Sequence, residues 1–170
     1  AAYREAESAL QTLYAQWLER FKQVREAKPH EEAIPPVLIV VCDNTEIAEY
    51  FFRQISGERL EDVVVSEGKK KGQTERRPVY SESAYREFQN SESQARTIRI
   101  DSRLLSKLET EEGATRDEQA ERLRTIIATV GKKGQPGEHV RCVVSVSMLT
   151  EGWDASNVTH VLGVRAFGSQ

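Results

Sequence analysis

With 170 residues, the chain is long enough for one domain with a real hydrophobic core and too short for two comfortable ones. Its 38% hydrophobic and 30% charged content suits a globular fold, and its longest apolar stretch, Ile34 to Cys42, holds two prolines and falls far short of the roughly 20 residues of a spanning helix. A formal net charge of −3 excludes a surface built as a whole to attract nucleic acid and leaves that role to local basic patches.

The first predicted element is a long amphipathic helix. Leu10, Leu13, Tyr14, Trp17, Leu18, Phe21 and Val24 recur on one side, with Glu, Gln, Arg and Lys elsewhere, up to Pro29. Residues 1–30 are therefore expected to pack as a helix on a domain spanning 31–170. After Pro35-Pro36, the run Val37 to Cys42 is continuously apolar, as in a strand buried on both faces of a parallel sheet. Asp43-Asn44-Thr45-Glu46 then supplies helix-capping chemistry for a helix carrying Ile47, Phe51 and Ile55, which Gly57 ends. Val63 to Val65 predicts a second, weaker strand.

From Ser66 to Arg96 the chain turns polar, with Lys69-Lys70-Lys71 and Arg76-Arg77 among many Ser, Glu and Gln residues. Two readings fit this insertion. It is a solvated loop, as charged polar runs usually are. Alternatively it is a basic flap that touches phosphates, with Tyr80, Tyr85 and Phe88 packing beneath it or stacking on bases. Thr97 to Ile100 alternates like a short strand, and Ser102 to Leu108 suits a brief helix. Thr115 to Glu118 forms a capping box ahead of Ala120, Leu123, Ile126, Ile127 and Val130, and Gly131 terminates that helix. Strands from Val140 and over Val158 to Val164 follow. The alternation of helix and strand predicts an α/β fold with a mostly parallel sheet flanked by helices.

Chemistry is sparse along this path. There is no phosphate loop ending in Gly-Lys-Ser/Thr, no glycine triad after the first strand and no nucleophile elbow. His30, His139 and His160 are scattered and read as structural or solvent-facing, so no metal site is expected. Cys42 and Cys142 lie in apolar strand-like runs and read as reduced core residues of a cytoplasmic protein, with a disulfide between neighbouring strands as the alternative. What remains is two strand-end turns. In a parallel sheet Asp43-Asn44-Thr45 and Ser147 to Asp154 emerge at the same carboxyl edge, where α/β proteins bind ligands. The first opens a helix whose free amides favour phosphate, although ordinary capping explains Asn44 and Thr45 equally well. In the second, Gly152 permits close backbone approach, Asp154 is suited to ribose hydroxyls, and Ser145, Ser147 and Thr150 offer hydroxyls to a nucleic-acid backbone. A tight loop with Asp154 capping a turn and Trp153 filling core is the plain alternative.

The string from Ser145 to Arg165, Ser-Val-Ser-Met-Leu-Thr-Glu-Gly-Trp-Asp-Ala-Ser-Asn-Val-Thr-His-Val-Leu-Gly-Val-Arg, closely resembles motif V of the second RecA-like domain of superfamily 2 helicases. More narrowly it looks like the Res subunit of type III restriction enzymes. Pro35 to Thr45 is similar to motif IV of the same family. The resemblance implies a three-layer RecA-like, P-loop NTPase-like fold in an ATP-driven DNA helicase or translocase, with ATP and Mg held between two such domains. By position it places Glu151, Gly152 and Asp154 at the nucleotide, and Asn44, Thr45, Ser147 and Thr150 along the DNA backbone. Trp153 stands where an aliphatic residue is usual and is assigned to packing. As partners it implies DNA, an upstream RecA-like domain of the same chain and a modification (methyltransferase) subunit, with no membrane. Walker A and B residues belong to that upstream domain, and motif VI with its arginine finger would follow Gln170, so this stretch alone is not expected to hydrolyse ATP. The full-length protein is expected to be an ATP hydrolase, with an attached endonuclease left open. The competing reading is a non-catalytic Rossmann-like nucleotide-binding or protein-interaction module.

Overall fold

The computed structural model describes residues 3–27, 35–100, 125, 126, 128–146 and 158–165. The expected helix at 102–108, the capping box at 115–118 and His30 lie outside them.

The amphipathic start of the chain forms α1, Arg4–Glu26, which buries Leu10, Trp17 and Phe21. Trp17 is wholly buried, lies 4.8 Å centroid to centroid from Phe21, and donates from Nε1 to the Pro36 carbonyl at 2.8 Å. That bond satisfies the indole N–H inside an apolar layer. It also pins α1 to the entry of β1, Val37–Cys42.

All of β1 except Val41 is buried, as a β-branched run between two covered faces requires. A helix, α2, Thr45–Ser56, follows, capped by Asn44 at one end and ended by Gly57 in the left-handed conformation (φ 72°) at the other. After α2 come an antiparallel hairpin of β2, Glu58–Val64, and β3, Thr74–Tyr80, then a 3-10 turn at Arg86–Phe88 and β4, Thr97–Ile100. Two further strands, β5, Cys142–Val146, and β6, Val158–Val164, complete the described elements.

Four strands make one sheet in the order β4-β5-β1-β6, and every pairing in it is parallel. Alternation along each strand sends side chains to two faces. One face carries Leu38, Val40, Cys42, Cys142, Val144 and Val164 under α1 and α2. The other carries Val37, Ile39 and Val143 against Val130, Val140 and Ile126, the last from the helical turn before Gly131. The chain is thus an α/β fold with an apolar core on each side of a parallel sheet. Gly131 has a φ of 74°, in keeping with its expected role as a helix stop.

Two expectations change. The weak second strand is β2, and it pairs with β3 instead of joining the parallel sheet. Its side chains are largely exposed on both faces, so nothing apolar holds it in the core. The stretch 66–96 is not a solvated loop throughout. It includes β3 as well as Tyr85 and Phe88, both buried beneath α1, where Phe88 lies 4.4 Å from Trp17 and Tyr85 meets Tyr14 edge-on at 5.2 Å. Aromatic burial of that size outweighs the polar composition around it. Cys42 and Cys142 are free thiols inside the core. Among the described residues no helix is long and apolar enough to cross a membrane.

Candidate functional site

The carboxyl edge of the sheet is set by register. Cys42 at the end of β1 lies beside Val146 of β5 and Val164 of β6, and Ile100 of β4 pairs with Ser145. Four strands therefore release the chain at one edge, the place where a parallel sheet opens a crevice. Asp43 is tied there through its amide, which donates to the Val164 carbonyl at 3.0 Å.

The first predicted turn is described in full. Asn44 is extended (φ −149°, ψ 173°), its Oδ1 accepts the Ile47 amide at 2.9 Å, and its carbonyl accepts the Ala48 amide at 3.1 Å. This is complete N-cap geometry. It commits the side-chain oxygen to the helix and leaves the Nδ2 donors for a ligand. Thr45 begins the helix, half-buried, so the first-turn amides of Thr45 and Glu46 point out along the axis at its positive end.

Arg99 joins this turn from β4. It pairs in register with Val144, whose side chain lies on the α2 side of the sheet, and its Nη2 donates to the Thr45 carbonyl at 3.2 Å. A guanidinium beside the amino end of a helix adds to the positive field of the dipole instead of cancelling it. Arg165, exposed just past β6, lies at the same edge. The acids Asp43 and Glu46 flank the turn, so the local positive potential rests on the arginines and the backbone amides. Such an arrangement has the chemistry to bind and orient an oxyanion such as phosphate. Neither described thiol is an activated nucleophile: burial pushes the Cys42 thiol up to about 12 despite the pull of Arg99, and burial likewise raises Cys142.

Ser145 is corrected. At 4% exposure it is a buried residue of β5, and its hydroxyl does not face a passing strand. Ser147, Thr150, Glu151, Gly152, Trp153 and Asp154 lie outside the described residues, but the segment that carries them leaves β5 from the edge occupied by Asn44 and Thr45. Of the two described histidines, His139 lies 3.7 Å from Glu138, and His160 contacts Thr159 while burial lowers its pKa. Among the described residues no group of three His, Cys, Asp or Glu side chains is placed to hold a metal ion.

Arg99 went unassigned in the sequence reading. The signal is a lone arginine inside the short alternating strand Thr97 to Ile100, which a covered strand keeps only if the side chain reaches a partner or the sheet edge. At the far end of α2 a cleft of about 420 Å³ opens, lined among others by Glu7, Phe51, Gln54, Arg59 and Tyr85. It includes none of the predicted site residues. Compared with protein-family models, curated proteins and solved structures, the chain finds no match.

Proposed function

We propose that the chain is the C-terminal RecA-like half of an ATP-dependent DNA helicase or translocase of the type III restriction kind. In this reading Glu151, Gly152 and Asp154 form part of an ATP site completed, with Mg, by a second domain. Asn44, Thr45, Ser147 and Thr150 hold the DNA backbone, and Arg99 joins them. One observation carries the reading. The register that sets Cys42 beside Val146 brings the motif IV-like turn and the start of the motif V-like segment to one sheet edge. A coupling element needs that adjacency, because ATP contacts and phosphate contacts must belong to one rigid body if closing the two domains is to move the strand. The α2 amino end with Arg99 suits a backbone phosphate and reads no base, as expected of an enzyme that tracks DNA of any sequence.

The test is the DNA-stimulated ATPase of the intact protein. Asp154→Ala lowers the stimulated rate by about tenfold or more, the loss of one ribose and nucleotide-edge contact of roughly 1.4 kcal/mol. Thr45→Ala and Arg99→Gln raise the DNA concentration needed for half-maximal stimulation. An ATPase indifferent to DNA, or unchanged by all three substitutions, overturns the proposal in favour of a non-catalytic module.

A further inference from the structure

The β2–β3 ribbon has no place in that site. It is rooted at Gly57, at the end of α2 opposite Asn44, about 18 Å away for a 12-residue helix. Its 7-residue strands extend roughly 23 Å from that root.

Charge along the ribbon is arranged unevenly. On the stem, bases and acids sit together: Arg59 with Glu61 at 2.5 Å, Arg77 with Glu75 at 2.7 Å, and Asp62 opposite Arg76 in register. At the tip, residues 66–73 read Ser-Glu-Gly-Lys-Lys-Lys-Gly-Gln. Three consecutive lysines there face a single acid, Glu67, within the tip. Lys70 reaches back to Glu75 at 3.7 Å, while among the described residues neither Lys69 nor Lys71 has an acidic partner. A surface selected only for solubility intersperses its signs. This ribbon balances them on the stem and concentrates positive charge at its end, in a chain whose formal net charge is −3.

The tip is also preorganised. Gly68 and Gly72 both adopt a φ of 89°, which lets the chain reverse around the lysines. Its backbone is tied by Val65 N to Gln73 O and Gly72 N to Val65 O, each 2.9 Å, and by Gln73 N to Lys70 O at 2.9 Å. Lysines on a turn already closed lose little further backbone entropy on meeting a ligand.

We infer that the ribbon is a nucleic-acid arm whose Lys69, Lys70 and Lys71 grip the phosphates of a duplex, without reading sequence. Duplex DNA offers one charge per about 1.7 Å of axis, and its major groove, about 12 Å wide, admits a two-stranded ribbon. A lipid surface fits less well, because residues 66–73 include no apolar side chain to enter it. A protein partner would rest on Leu60, Val64 and Pro78, which share one exposed face of the stem, and would not need the lysines. The inference holds whether or not the chain is half of a motor.

Anisotropy titrations of a labelled 20-base-pair duplex into the 170-residue chain, at several salt concentrations, test it. The triple variant Lys69→Gln, Lys70→Gln, Lys71→Gln should bind about tenfold more weakly at low salt and flatten the slope of log K against log salt by about 3, equally for unrelated sequences. The triple Lys→Arg variant should retain both affinity and slope. Unchanged binding in the Gln variant overturns the inference. So does lysine-dependent binding to phosphatidylserine vesicles or to polyglutamate as tight as to the duplex. If Thr45→Ala and Arg99→Gln weaken duplex binding and the lysine variant does not, the ribbon is no arm while the sheet-edge reading survives.

Discussion

The parallel sheet and the β2–β3 ribbon are built from strands of similar length but obey opposite rules. In β1 nearly every side chain is buried, and its place is set by two apolar layers that no other register would fill. The ribbon exposes Leu60 at 53% and Val64 at 65%, and is held by turn geometry and its antiparallel backbone ladder instead. Strand formation therefore does not imply core. Here the covered strands build the frame that positions the sheet edge, and the uncovered pair, rooted at the other end of α2, presents its charge to solvent.

The contrast breaks most sharply at Trp17. Trp17→Ala removes a wholly buried indole, its stacking on Phe21, its tilted contact with Phe88 and its bond to Pro36, and should cost about 3–5 kcal/mol in urea denaturation. A loss below 1 kcal/mol would mean that α1 is not integral to the core. Gly57, where frame and ribbon join, should show an intermediate effect. A methyl group there would sit 2.0 Å from the Ser81 carbonyl oxygen at a φ of 72°, so Gly57→Ala should destabilise by about 1–3 kcal/mol. Calorimetry showing a transition no lower than wild type would remove that joint as a constraint. Least of all, Val64→Ser on the open ribbon should change stability by no more than about 0.5 kcal/mol. A larger loss would show that this face is covered in solution.

Much of the frame was legible from local chemistry. The continuous apolar run of β1, the spacing of Leu10, Trp17 and Phe21, the Asn44 cap and the Gly57 stop each name their own conformation, because burial on two faces and helix capping leave short-range traces. The ribbon was not legible in that way. Val63 to Val65 looked like a weak strand of the main sheet, since propensity does not say which partner a strand finds. Tyr85 and Phe88 were offered equally to packing and to base stacking, because an aromatic ring suits both and only the nearness of Trp17 and Tyr14 distinguishes them.

At the sheet edge the division is similar. Asn44 and Thr45 could be picked out from residue type and position after a buried strand. Arg99 left a trace as a charge inside a short strand, but its partner could not be read, because 54 residues separate it from the Thr45 carbonyl that it meets. Local pattern dictated which segments become helix or strand, for those choices depend on neighbours a few positions away. Long-range packing settled strand order, the exile of the ribbon and the company Arg99 keeps, for each depends on which distant surfaces exclude water together.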